Sequence, residues 1–135
     1  ATLQVIEEDN LIDNASAQGD LLRAGLEELQ SRYPKYIGDV RGKGLLTAFE
    51  FVSDRRTMTP LPASLGACNR FVDIAYDIGL IVYSRRTRGG YEGDHILVCP
   101  PMIVNESQVE EIVEMLDTSL RQFTAEIQSA VPQIA

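Results

Sequence analysis

Over residues 1–32, apolar side chains return to one face at the 3.6-residue period of a helix: Leu11, Ala15, Leu22, Leu26 and Leu29. Glu7, Glu8, Asp13, Asp20, Arg23, Glu27 and Glu28 decorate the rest of the circumference. Asp9 and Asn10 are good cap residues, so "EEDN" predicts a joint between two helices, and Pro34 stops the run. The period then falls to two. Leu45, Thr47, Phe49 and Phe51 share one face of a strand over 45–52, and Leu46, Ala48, Glu50 and Val52 share the other. The polar segment 53–62, with two prolines, reads as a loop. Ser64 to Ile78 predicts a helix with Leu65, Cys68, Phe71, Val72 and Ala75 on one side, and Gly79 stands where a helix-ending glycine belongs. "LIVYS", 80–84, predicts a short buried strand and "HILVC", 95–99, another. Asn105 caps a last helix, Glu106 complements its dipole, and Val109, Ile112, Val113, Leu116, Leu120 and Phe123 form its stripe.

The order helix, strand, helix, strand, strand, helix predicts an α+β fold. Its sheet would be small and mostly antiparallel, of about three to four strands, with helices packed on one face. The strands flanking 85–94 are placed to pair antiparallel, and the helix between the first two strands allows a crossover there.

Charge and composition narrow the chemistry. A formal net charge of −8 over 135 residues argues against nucleic acid or an anionic membrane surface as a partner. No apolar run approaches the ~20 residues of a membrane span. The first ten residues have neither a basic region nor a long apolar core, so they do not read as a secretory signal. They begin inside a helical pattern, without Met, as expected of a piece cut from a longer chain. Cys68 and Cys99 form no C-x-x-C pair and read as two unbridged core thiols of a cytoplasmic protein. One histidine and two cysteines exclude a multi-histidine metal site and a zinc cluster.

The stretch "IGDVRGKG", 37–44, poses the sharpest question. Its glycine spacing matches neither dinucleotide nor P-loop patterns, and it runs into a strand, whereas a phosphate cradle needs a helix N-terminus. Gly42 and Gly44 then supply positive φ or a close backbone approach. Arg41 and Lys43 are either a solvated pair or a grip on a substrate anion. "RRTRGGYEGD", 85–94, concentrates Arg85, Arg86 and Arg88 on a glycine-rich loop. A guanidinium fork matches a carboxylate, and the plainer reading is a cationic surface loop offsetting an acidic body. His95 adjoins Asp94, but successive strand residues point to opposite faces, so the two form no triad. Glu50, half-buried in mid-strand, needs a cationic or backbone partner. Residue chemistry alone therefore describes an α+β domain with an anion-friendly arginine loop and no complete catalytic set.

Four segments together resemble the C-terminal part of the class III aminotransferases, pyridoxal-phosphate enzymes of fold type I. They are "ATLQVIEEDNLIDNASAQGDLLRAGLEEL", "IGDVRGKGLLTAFEFVSD", "AYDIGLIVYS" and "DHILVCPPMIVNESQVEEIVEMLDTSL". They resemble, in order, the long helix entering the small domain, its arginine-glycine turn and first strand, its second strand, and its double-proline strand with closing helix. The resemblance implies that residues 1–135 are one small domain: an entering helix over 1–32, an α/β core with closing helix over 33–126, and a tail over 127–135.

It also implies that the Schiff-base lysine and the phosphate contacts belong to a large domain outside this stretch, since neither Lys35 nor Lys43 has a matching context. No catalytic residue and no bound coenzyme are then expected in this piece, which would be inactive alone. Its partners would be that large domain, a second subunit in a homodimer, and a small-molecule amine and keto acid. The implied reaction moves an amino group, with the coenzyme ring as electron sink. The small domain would close over the substrate and help to choose it. Family members hold the substrate carboxylate with an arginine at positions that are Leu97 or Tyr83 here. The resemblance thus leaves Arg88, Arg86 and Arg85, with Arg41, as substrate-binding candidates. It tilts the expectation toward an amine or ω-amino acid donor and pyruvate. A pyridoxal-phosphate mutase or decarboxylase, and a free-standing carboxylate-binding or interaction module, are the alternatives.

Overall fold

The computed structural model describes residues 1–87 and 92–128, leaving out the side chains of residues 87 and 92. Helices α1 (Thr2–Glu8) and α2 (Leu11–Arg32) meet at Asp9 and Asn10. Asn10 takes a left-handed conformation, so the joint between them is a corner. Strands β1 (Ile37–Lys43), β2 (Leu46–Asp54) and β3 (Thr59–Pro60) follow. After a 3₁₀ turn (Ala63–Leu65) come α3 (Ala67–Asp77), β4 (Tyr83–Thr87), β5 (Glu92–Val98) and α4 (Glu106–Gln128).

The sheet runs β1-β2-β5-β4, with β3 paired to β2, and every pairing is antiparallel. β2 and β4 therefore run parallel on either side of β5, and α3 is the crossover between them. The α+β expectation holds, with five strands rather than three or four. Two of the strands carry no sequence signal of their own. β1 is hidden by its glycines and charges, "IGDVRGK", which carry no period-two apolar signal. β3 is two residues long and pairs with β2 at Val52 and Asp54, beyond Glu50, where the pairing of β2 with β5 stops. The strand expected at 80–84 begins at Tyr83, and Ile81 and Tyr83 are exposed rather than buried. Cys99, expected in the core, is exposed, while Cys68 is buried.

Helices α2, α3 and α4 cover one face of the sheet. Leu22, Leu26 and Leu29 of α2, Phe71 and Ala75 of α3, and Leu116, Leu120 and Phe123 of α4 meet Phe49, Phe51, Ile96 and Val98 of the strands. Both predicted helix ends are built as expected. Asn105 Oδ1 accepts the Gln108 backbone N–H at 3.0 Å, and Gln108 Oε1 accepts the Asn105 N–H at 3.1 Å, a reciprocal capping box. Gly79, at φ 92°, lets the Leu80 N–H reach back to the Ala75 carbonyl at 2.8 Å.

The far side of the helical layer holds a charged knot. Asp117 Oδ1 accepts from the Tyr33 hydroxyl at 2.7 Å and contacts Arg32 at 2.9 Å, while Oδ2 meets Arg121 at 3.0 Å. Burial pushes the Asp117 carboxyl up, but the hydrogen bonds from Tyr33, Arg121 and Arg32 outweigh it and hold it below its ordinary value. A carboxyl depressed in the folded state stabilises fully above its unfolded pKa of about 4 and loses that contribution as pH falls through the folded value. Asp117→Asn is expected to lose on the order of 1 kcal/mol at neutral pH, since the arginine partners stay in solvent. It should also flatten the acid limb of stability below about pH 4. Denaturant titrations of both proteins at neutral and acid pH check this; parallel limbs would contradict it.

Candidate functional site

The sheet face turned away from the helices is the part of the fold that presents chemistry. Strand register builds it in rows. Tyr83, Leu97, Ala48 and Arg41 are cross-strand partners in one row. Arg85, His95, Glu50 and Asp39 are partners in the next. Leu46 and Tyr83 expose 66% and 59% of their surface on this face, too much for an ordinary finished sheet surface. The charged row is polarised. Arg85 and His95 occupy the β4 and β5 side, Glu50 and Asp39 the β2 and β1 side.

Arg41 neutralises the acidic end. Its Nη1 donates to Asp39 Oδ2 and to Glu50 Oε2, both at 2.8 Å. Burial works against the guanidinium's charge, but these hydrogen bonds and the Glu50 charge outweigh it and raise its pKa. Glu50 thus has the arginine partner its mid-strand position demands. Arg85 differs. It is exposed, its described contact is a long 3.5 Å approach of Nη1 to the Tyr83 hydroxyl, and no carboxylate faces it among the described residues. His95 turns Nδ1 to the Gly93 carbonyl at 3.0 Å.

Arg86 takes the opposite face. Its Nε lies 2.8 Å from Asp94 Oδ1 and its Nη2 3.4 Å from Oδ2. The closer contact is an ion pair whose hydrogen lies off line, and the longer one carries the hydrogen bond. Asp94 is fully buried. Beside it the Cys68 thiol of α3 points at the backbone carbonyls of Arg85, at 3.4 Å, and His95, at 3.8 Å. Burial and the neighbouring Asp94 push this thiol up to about 12, so it stays protonated and inert as a nucleophile at neutral pH.

Of the four arginines singled out in the sequence, Arg85 and Arg41 therefore share the open face, on its two opposite edge strands. Arg86 lies inside against Asp94, and Arg88 lies outside the described residues. The sequence reading missed the Asp94–Arg86 pair. Its signal was available: Asp94 sits two before Ile96 and four before Val98, on the core face of a strand.

The described residues do not assemble a pyridoxal-phosphate site. Lys35 and Lys43 are both exposed, in the turn after α2 and at the end of β1. Neither lines the cleft of about 660 Å³ between α2 and α4, nor the shallower hollow around Asn14 and Asn105. Among the described residues no group of His, Cys, Asp and Glu could hold a metal ion, and no helix is long and apolar enough to cross a membrane.

The family model for class-III aminotransferases matches residues 1–120. Taurine–pyruvate aminotransferase of Bilophila wadsworthia is 36% identical over 118 residues, which are 87% of this chain and 25% of that protein. A transaminase from the marine bacterium Virgibacillus superposes with a TM-score of 0.86 at 27% identity, over 92% of this chain and 27% of its own. An amine transaminase from an uncultivated Pseudomonas species, solved with pyridoxal phosphate bound, superposes with a TM-score of 0.77 at 32% identity, over 89% of this chain and 25% of its own. The chain thus spans about a quarter of the length of the relatives it matches.

Proposed function

This chain belongs to the class III aminotransferases, and from that premise we propose that residues 1–135 work as the small, substrate-facing domain of a pyridoxal-phosphate-dependent transaminase. The divisions of this domain are the entering helices over 1–32, the α/β core with its closing helix over 33–126 and a tail over 127–135. The longer polypeptide would hold the coenzyme and its lysine. It would transfer an amino group from an amine or ω-amino acid to a keto acid, with pyruvate the favoured acceptor.

The observation that carries this reading is the open sheet face. It is half apolar, polarised in charge, and offers one arginine without a carboxylate partner among the described residues. Such a face is finished only by what packs against it. The apolar row suits the rest of the polypeptide, and Arg85 suits the carboxylate of a bound acid. Arg41 is a weaker candidate, because binding a substrate anion would require it to leave Asp39 and Glu50. Arg86 would have to leave a buried carboxylate, so it serves the site from behind. Arg88, close by in the chain, remains a candidate beside Arg85. Pyruvate as acceptor draws support from the name of the taurine–pyruvate relative. The same reading assigns a cytoplasmic dimer.

The polypeptide carrying this chain should transaminate amines with pyruvate faster than with oxoglutarate. Arg85→Ala is expected to raise KM for the keto acid about tenfold while changing kcat less, the mark of lost ground-state binding. Steady-state kinetics with each acceptor, for Arg85→Ala and Arg88→Ala, check it. If neither variant shifts KM, the arginine grip is wrong. If the unaltered protein moves no amino group, the transaminase reading is wrong.

A further inference from the structure

We propose that Asp94 is the positioning residue of the open face: by holding Arg86 inside, it keeps the neighbouring Arg85 outside and aimed at the substrate. β4 carries two arginines in succession, and a strand sends successive side chains to opposite faces. One of them must therefore enter the side covered by helices. A guanidinium there is left with little water, the Arg86 side chain being 22% exposed, so an anion stabilises it. Asp94 is that anion. It is fully buried, it lies on β5 across from the end of β4, and its carboxylate meets Arg86 at 2.8 Å.

The local packing favours this arrangement over its neighbours. In the observed register Ser84 faces Ile96, Arg85 faces His95 and Tyr83 faces Leu97. Sliding β4 one residue in one direction puts Arg85 opposite the buried Ile96, without a charge to meet it. Sliding it the other way puts Tyr83 in the place of the small Ser84, beneath the helices. The ladder already has an irregularity between Arg85 and Thr87, so the pairing needs an anchor at this end. The Cys68 thiol, donating to the Arg85 carbonyl at 3.4 Å, holds the same residue against α3.

A buried ion pair is seldom kept for stability, since an apolar pair of similar volume stabilises a core as well or better. Its retention here suits a positional task. Without the Asp94 charge, the inward pose of Arg86 loses its buried carboxylate. The side chain should turn to solvent, drag the end of β4 with it and displace Arg85.

The test uses the full polypeptide and two readouts, of which only the second rests on the transaminase reading. In the first, an arginine-directed dicarbonyl reagent labels the protein and mass spectrometry of its peptides locates the label. Arg86 is expected to be protected in the unaltered protein and labelled in Asp94→Asn. In the second, Asp94→Asn is expected to raise KM for the keto acid about tenfold with kcat changed less. Arg85→Ala should then cost less in the Asp94→Asn background than alone, which a general loss of stability would not produce. The double variant Arg86→Met, Asp94→Leu, with an apolar pair inside, should fold and bring KM back to within about threefold of the unaltered protein.

Protection of Arg86 in Asp94→Asn would overturn the proposal whatever the kinetics show. So would an unchanged KM in a labelled variant, or a folded double variant as impaired as Arg85→Ala. Should Asp94→Asn not fold, the double variant decides. If the unaltered protein shows no transamination, labelling alone decides, and the fault lies with the functional reading.

Discussion

Phe51→Ala is expected to remove about 4 kcal/mol of stability and to lower the melting temperature by roughly 15 °C. Phe51 is wholly buried on β2 and touches rings from three other positions. Phe49 lies 5.4 Å away edge-on, Phe71 of α3 lies 5.3 Å away, and Phe123 of α4 lies 4.6 Å away. Phe71 and Phe123 also meet each other at 5.6 Å, nearly perpendicular. Phe51 therefore joins the sheet to both helices at one point. Its removal takes away transfer free energy and aromatic contacts worth about 1 kcal/mol each. It also leaves a cavity whose walls belong to separate elements, so no single shift can close it. Phe51→Leu should lose about half as much, because part of the volume is refilled. Denaturant unfolding followed by circular dichroism measures both. A loss below about 1 kcal/mol for the alanine variant would mean that the ring cluster does not hold the layers together.

Gly19→Ala is the second large effect, and the less obvious one. Alanine improves intrinsic helix propensity by about 1 kcal/mol, so an exposed glycine in α2 should gain from the change. Gly19 is buried, and a methyl there would stand 2.3 Å from the carbonyl carbon and oxygen of Gly44 and 2.5 Å from its Cα. These are backbone atoms that no rotamer change can move. Gly44 sits in the two-residue hairpin turn between β1 and β2, at φ 55°, with its own missing Cβ position only 3.4 Å from the Ala15 carbonyl oxygen. The helix and the turn each lack a side chain where they cross. Inserting one forces α2 outward. The helix is fastened there by Asn14, which donates to the Met102 and Val104 carbonyls at 2.7 and 2.9 Å, and by Leu22 in the core. A net loss of about 2–3 kcal/mol is expected, seen as a melt about 10 °C lower. A stabilised Gly19→Ala would show that the crossing is loose.

This crossing answers the question raised by "RGKG". The turn is where the entering helix rests on the sheet, and its glycines serve that close approach. The stripe of α2 contained the clue. Leu11, Ala15, Leu22, Leu26 and Leu29 leave a gap that position 19 fills, and a glycine inside an apolar stripe marks close approach. The sequence could point to Gly19 but not to what it approaches, because Gly44 lies on another element.

What the sequence determined by itself is whatever depends on spacing within one element. The periods of 3.6 and two identified α2, α3, α4, the core face of β2 and the apolar centre of β5. Local cap chemistry located Asn105 and Gly79, since capping partners lie within a few residues. The placement of Asp94 and His95 on opposite faces followed from strand alternation alone. The tertiary structure decided what depends on a partner distant in the chain. β1 is a strand because β2 offers it a ladder, not because its glycines and charges prefer one. Arg85 and Arg86 are chemically identical, and it is the register of β4 on β5, with the Asp94 carboxylate buried beneath the helices, that places one inward and leaves the other facing out.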